Sequence, residues 1–454
     1  MTARRFALSL LACVALAGGM RAFAQTSPAA GTATDAAAAA VLDRQLLLML
    51  RTPPPHFRPE ASYGGGYRDA PGRDARRRLA RALARSHGLR LLDDWPMPAL
   101  GLDCFVMEAP RADLRAQLLV QLASDPRVES VEPMQAFHVL SDHLPGSGDP
   151  LAATQPAVAQ WHLRELHRLA TGRRVTVAAL DTGVDAGHPD LRGQQLLTRN
   201  FIDGQPYAAE THGTAVAGII AARVDDGVGI AGIAPDVRLL GLRACRQLRQ
   251  GGAACSSFSL AKALQFALEA KAQVLNLSLT GPPDRLLARL LDVALARGVS
   301  VVGAVDVQSA DGGFPASHPG VLAVAGSQSP GSPPSSLLAS GVLPSGVLRA
   351  PDRGIPASRA GGGWDMVSGT SFAAAQVSGL VALLRELSPR LGATALRAAL
   401  SAPATSTPLA STPIGLGLAP KRPPSIDACA AVGRVAGRCA CDCAVAQAGL
   451  MPRQ

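Results

Sequence analysis

The stretch "RVTVAALDTGVD", residues 174–185, decides how the rest of the chain is read. It is a short apolar run, rich in β-branched and small residues, that ends on a carboxylate, Asp181. A run of this length bounded by a turn reads as a fully buried strand. Downstream, strand-like runs alternate with helix-like ones. "THGTAVAGIIAARV" (211–224) reads as a helix, "VRLLGLRA" (237–244) as a strand and "SSFSLAKALQFALEAKA" (256–272) as a helix. "VLNLSL" (274–279), "DRLLARLLDVALARG" (284–298) and "VSVVGAV" (299–305) then read as strand, helix and strand. Such alternation predicts an α/β domain built on a mostly parallel sheet with helices on both faces. Functional groups in such sheets collect at the carboxyl ends of strands. Asp181 falls there, and a carboxylate in that position must be hydrogen-bonded, because burying it unpaired is costly.

Two helix starts carry the partners. His212 opens the first, where Gly213, Ala215, Ala217 and Gly218 allow close packing beneath it. Ser371 opens the second, after the turn Gly369-Thr370. The unpaired N–H groups and dipole at a helix start favour developing negative charge. Asp, His and Ser together suit nucleophilic acyl transfer: Ser371 attacks a carbonyl, His212 moves the proton, and Asp181 orients the imidazole and stabilises its charged form.

Three motifs then make the reading specific. "AALDTGVDAGHPDL" (178–191), "HGTAVAGIIAA" (212–222) and "SGTSFAAAQVSG" (368–379) resemble, in that family's own order, the signatures of the subtilisin-like serine peptidases. The resemblance implies a three-layer, doubly wound, mostly parallel sheet and a serine endopeptidase working through Asp181, His212 and Ser371. It implies that Leu277, Ser278, Leu279 and Thr280 form the strand that pairs with extended substrate. It also implies a small α+β, ferredoxin-like propeptide at residues 74–140, which would inhibit the enzyme until removed. His188, Asp185 and Asp190 read as loop-ordering residues. Calcium is common in the family, but "VDDGVG" (224–229) reads as a turn around Asp225 and Asp226, and no clear oxygen-ligand loop is present. No cofactor is expected.

The chain departs from the family's pattern in several places. Ala215, Ala375 and Gln376 replace usual residues on helices and are tolerable. Thr280 stands where Gly is usual and would narrow the cleft next to the residue preceding the scissile bond. The serious departure is Asp306, where the family has the asparagine that donates to the oxyanion. An ionised carboxylate only accepts hydrogen bonds. This motivates the runner-up reading, a catalytically weak or inactive relative that binds peptides or serves as a scaffold.

The remaining sequence bounds the setting. "MTARRFALSLLACVALAGGMRAFAQ" has a basic start, an apolar run and an Ala22-Phe23-Ala24 cleavage site, so residues 1–24 read as a signal peptide of a periplasmic or secreted protein. Cys13 in "LLAC" is a minor alternative as a lipoprotein anchor. No other apolar run is long enough to span a bilayer. Residues 25–73 read as a low-complexity linker, 141–156 as a second linker, 157–400 as the peptidase domain, and 401–454 as a Pro/Ser/Thr-rich and Cys-containing tail. Of eight cysteines, Cys13 leaves with the signal and Cys104 with the propeptide. Cys245, Cys255, Cys429, Cys439, Cys441 and Cys443 remain as disulfide candidates in an oxidising compartment. The formal net charge of +10 comes mostly from arginine, but the basic run at residues 73–90 lacks interleaved aromatics. Nucleic acid is therefore not an expected partner. Expected partners are protein or peptide substrates and the chain's own propeptide, with the enzyme a monomer.

Overall fold

A computed structural model describes residues 41–51, 70–139, 142–144, 152–248, 252–327, 346–401, 425–437 and 441. The signal peptide and Cys13, and in the tail Cys439 and Cys443, lie outside the described residues.

The N-terminal unit is a four-stranded antiparallel sheet of β1 (Gln45–Arg51), β2 (Arg90–Met97), β3 (Leu102–Glu108) and β4 (Ser130–Pro133), in the order β2-β3-β1-β4. Leu46, Leu48 and Leu50 of β1 alternate onto one face, where they join Leu83 and Leu122 from two helices, Ala70–Ser86 and Arg115–Ala123. Leu47 and Met49 alternate onto the opposite face and join the core of the following domain. The interior strand β1 and the start of the first helix lie within residues 25–73, so that segment is not purely a linker. The apolar run "QLLLMLR" is buried on both faces and therefore lacks the alternation that would mark it in the sequence.

Two short strands follow, β5 (Ala136–Val139) and β6 (Asp142–Leu144). The second strand, and helical turns at Ala152–Thr154 and Pro156–Gln160, correct the reading of residues 141–156 as a linker.

The large domain contains β7 (Thr176–Asp181), β8 (Leu196–Asn200), β9 (Arg238–Arg243), β10 (Cys245–Gln247), β11 (Ala253–Ser256), β12 (Val274–Leu277), β13 (Leu279–Thr280), β14 (Ser300–Ala304), β15 (Leu322–Gly326), β16 (Leu348–Ala350), β17 (Ile355–Ser358) and β18 (Trp364–Ser368). Seven of them make a parallel sheet in the order β16-β15-β14-β12-β7-β9-β8. Every residue of β7 is buried, as expected for a strand covered on both faces. The His212 helix (Thr211–Ala221) and the Ser371 helix (Thr370–Leu387) share one apolar layer with Val177 and Val302. Helices Ser257–Glu269 and Arg285–Ala296 share the other with Leu180 and Leu275. The three-layer arrangement agrees with the expected fold.

The peptidase core does not stop at residue 400. A helix at Ala428–Ala436 buries Ala428, Ala431 and Val432 in the same layer as Leu380, Leu384 and Leu396. Among the described residues Cys429 pairs with Cys441 and Cys245 with Cys255, while Cys104 is a free, buried thiol on β3.

Candidate active site

Asp181 ends β7 at the point where strand order reverses, with β12 on one side and β9 on the other. That is where doubly wound sheets place functional groups. Its Oδ1 accepts from Nδ1 of His212 at 2.7 Å and from the Thr182 backbone N–H at 2.6 Å. Asp181, His212 and Ser371 are all essentially fully buried. The imidazole also meets the Phe372 ring, with centroids 5.2 Å apart. Close approach of the His212 helix requires Gly213, because a Cβ there would stand 2.3 Å from the Thr182 carbonyl oxygen.

Ser371 lies in the first turn of its helix, after Gly369, whose φ of 137° suits glycine. Its Oγ donates to the Ser278 carbonyl at 2.9 Å, and Ser278 Oγ donates back to the Ser371 carbonyl at 2.8 Å. Asn276 Nδ2 donates to Ser278 Oγ, and Ser378 Oγ donates to Asn276 Oδ1, both at 2.9 Å. This buried chain of hydrogen bonds ties β12 and the residue after it to the serine helix. Nε2 of His212 is buried and makes no hydrogen bond in this state.

Residues 136–139 and 142–144 run along the site. β5 pairs antiparallel with β11 on one side and with β13 on the other, Val139 opposite Leu279 and His138 opposite Thr280. β6 pairs antiparallel with β18, Asp142 opposite Ser368, and β18 leads within two residues to the Ser371 helix. Phe137 is fully buried beside Leu260, Leu264, Leu279 and Phe314. A Cβ on Gly281 would stand 2.4 Å from its ring. The edge that pairs with an extended chain is Leu279–Thr280. Leu277 instead belongs to β12 in the central sheet, opposite Gly303, which corrects its assignment to the substrate strand. The β18 edge is not apparent in the sequence, because "WDMVS" carries no pattern that distinguishes it from an ordinary strand.

Asp306 lies two residues beyond β14. Its Oδ1 accepts from the Gln308 N–H at 2.9 Å and its Oδ2 from Ser309 Oγ at 2.7 Å. Both oxygens are thus taken by its own turn. Asp306, Thr280, Pro282, Ser309, Asp311 and Phe314 line a cavity of about 320 Å³. A Cβ on Gly313 would stand 2.2 Å from Thr280 Oγ1 and 3.2 Å from Asp306 Cβ, so Gly313 packs close against both residues beside this cavity. Asp190 accepts from Ser358 Oγ at 2.6 Å and from Trp364 Nε1 at 2.7 Å, an ordering role for the loop. Among the described residues no group of three or more His, Cys, Asp or Glu is arranged to hold a metal ion, and no helix is long and apolar enough to cross a membrane.

A serine at a helix start beside a histidine–carboxylate pair, at the switch point of a doubly wound sheet, defines the class: a serine-type endopeptidase. The sequence profile of the Subtilase family matches residues 172–417, more than half of the chain, and the protein belongs to that family. It is 29% identical to Subtilisin E of Bacillus subtilis (strain 168) over 291 residues, 62% of this chain and 72% of that protein. It is 36% identical to a Thermophilic serine proteinase of Bacillus sp. (strain AK1) over 212 residues, 46% of this chain and 51% of that one. The crystal structure of fervidolysin from Fervidobacterium pennivorans, a keratinolytic enzyme related to subtilisin, superposes with a TM-score of 0.56 at 21% identity, covering 79% of this chain and 57% of that one. That likeness speaks to the fold alone.

Proposed function

We propose that the protein is an exported serine endopeptidase made as a zymogen, with Asp181, His212 and Ser371 as its triad. Its first substrate is its own chain. The observation that carries this reading is the pairing of β5 with β11 and β13 before the serine and of β6 with β18 after it. Strand addition of this kind is how an extended peptide is held for cleavage. Residues 140 and 141 lie outside the described residues, and the flanking registers support a scissile bond between Val139 and Asp142. Phe137 fills the apolar pocket that would read the substrate side chain at the same position.

Attack begins when the Ser371 hydroxyl turns from the Ser278 carbonyl to Nε2 of His212. Histidine takes the proton and returns it to the leaving amine, while Asp181 stabilises the imidazolium. The oxyanion meets the backbone N–H of Ser371 at the helix start, but Asp306 contributes no donor there, so the enzyme turns over slowly rather than not at all. No metal or cofactor enters this scheme. The signal at residues 1–24 and the two disulfides support export to a periplasmic or extracellular space.

Intact-mass analysis of the unmodified protein and of Ser371→Ala tests the reading. A single cut between residues 139 and 142, absent in Ser371→Ala, is the expected result. A folded protein that neither cuts itself nor reacts with a fluorophosphonate probe overturns it.

A further inference from the structure

Beneath the histidine–carboxylate pair lies a second buried ion pair that the reaction scheme does not use. Glu210 is the residue immediately before the His212 helix. Arg243 ends β9 directly opposite Asp181 in the parallel sheet. Their side chains are 12% and 3% exposed. Arg243 donates to both carboxylate oxygens of Glu210, Nε to Oε2 at 2.9 Å and Nη2 to Oε1 at 3.0 Å. This is the planar, two-pronged contact that fixes both partners in orientation.

The same carboxylate also holds two separate backbone segments. Oε2 accepts from the Gly183 N–H at 2.7 Å, two residues after Asp181. Oε1 accepts from the Gln247 N–H at 3.0 Å, on β10. Glu210 also donates its own backbone N–H to the Gly183 carbonyl, and Gln247 Oε1 accepts from the Thr211 N–H at 2.8 Å. Gly183 cannot carry a side chain here, because a Cβ would stand 1.7 Å from the Ala208 carbonyl oxygen and 3.1 Å from Arg243 Cδ. Strand β10 pairs with β11, which pairs with β5 in the cleft. One carboxylate therefore joins the loop leaving Asp181, the start of the His212 helix and the hairpin that holds the peptide.

We propose that Glu210 and Arg243 are positioning residues: together they set the distance and orientation of His212 against Asp181 and couple that geometry to the substrate-holding hairpin. A buried ion pair is a weak source of net stability, since desolvation offsets much of its attraction. Orientation of reacting groups, by contrast, is worth orders of magnitude in rate. The pair also sets the local field. His212 faces Asp181 through Nδ1 and Phe372 from the serine helix, with the Glu210–Arg243 pair behind the Gly183 loop. Removing one member leaves the other charge uncompensated beside the loop that leaves Asp181.

The proposal rests on the triad reading, and the test separates the two. The rate of fluorophosphonate labelling of the unmodified enzyme, absent in Ser371→Ala, is measured first across pH and reports on the triad itself. Glu210→Gln is then expected to slow labelling and peptide turnover about tenfold or more, with kcat carrying most of the loss. Arg243→Met and the double variant Glu210→Gln/Arg243→Met are expected to lose kcat in the same way with KM largely kept, and Arg243→Lys, which keeps the charge but not the two-pronged contact, to lose part of it. If Glu210→Gln and the double variant change only melting temperature or yield, with kcat and KM per titrated site unmoved, the pair is structural and the proposal fails. If either single variant does not fold, the double variant and Arg243→Lys, which bury no lone charge, decide the matter.

Discussion

On the proposed self-cleavage, raising the pH should loosen the cut prosegment from the enzyme through a contact between Glu132 and the catalytic domain. Glu132 of β4 accepts from the Leu286 N–H at 3.2 Å, at the start of the catalytic domain's Arg285–Ala296 helix. Asp284 caps the same helix through Leu287 at 2.9 Å, and its Oδ2 is buried without a partner. Two carboxylates from opposite sides of the interface thus meet in one buried space, faced by Arg285 and, more remotely, by the Cys104 thiol. Burial first and Asp284 second push Glu132 from the usual 4.5 up to about 7, and burial likewise raises Asp284. Burial and then Asp203 raise Asp93 on β2, where Lys262 bonds Asp203 at 2.5 Å and lies 5.2 Å from the Trp95 ring. A group with a raised pKa in the complex is protonated on association. The affinity is therefore full below about pH 4.5, falls roughly tenfold per pH unit up to about pH 7, and levels off above. The total loss is about 300-fold. Native mass spectrometry or gel filtration of the cleaved complex at pH 5 and pH 7.5 measures it. Glu132→Gln should flatten most of the dependence. Equal dissociation constants at the two pH values, or tighter association at the higher one, would falsify the argument.

Asp306→Asn restores a side-chain donor and is expected to raise kcat by about 100- to 1000-fold, the size known from this family's own oxyanion asparagine rather than worked from the present structure; an unchanged steady-state rate would show that Asp306 does not limit catalysis. Phe137→Ala empties an apolar pocket at a cost of about 3–5 kcal/mol, so the prosegment should inhibit at least 100-fold less tightly in a progress-curve assay. Identical inhibition would mean that Phe137 does not anchor it. Thr280→Gly should widen the cavity beside Asp306 and shift a peptide library towards bulkier side chains before the cut. The Cys245–Cys255 bridge lies across the β10–β11 hairpin, with Cys255 opposite Phe137. Replacing both by serine should raise KM with kcat largely kept, and a loss confined to kcat would contradict that role.

The parts legible in the sequence are those fixed by local chemistry. Asp181 closes an apolar run, His212 and Ser371 open helices, and small residues beside them announce close packing. What stayed hidden depends on distant partners. Nothing local in "QLLLMLR" says that it is an interior strand, because both of its faces are covered. "VESVEPMQAFHVL" reads as one continuous strand, yet β4 and β5 join different sheets, since the chain leaves the prosegment and enters the cleft between them. Leu277 and Leu279 look alike in sequence, and the change from central sheet to free edge falls at Ser278. Glu210 was equally invisible: an acidic residue before a helix is ordinary, and Arg243 lies across a sheet from it.

The pairing of β5 and β6 along the cleft also has a kinetic consequence. On the proposed self-cleavage, a cut between residues 139 and 142 makes two products, and neither diffuses away at once. The upstream end is held by a folded unit of four strands docked on the enzyme. The downstream end, β6, remains covalently joined to the catalytic domain through the seven residues 145–151. A short tether of this kind keeps an end at an effective concentration in the millimolar range. Both ends thus compete with any outside peptide for the same strand edges, and the nicked bond can be resealed. On that proposal, cutting the bond does not yet release an enzyme: the clock on activity starts when the first end leaves its edge.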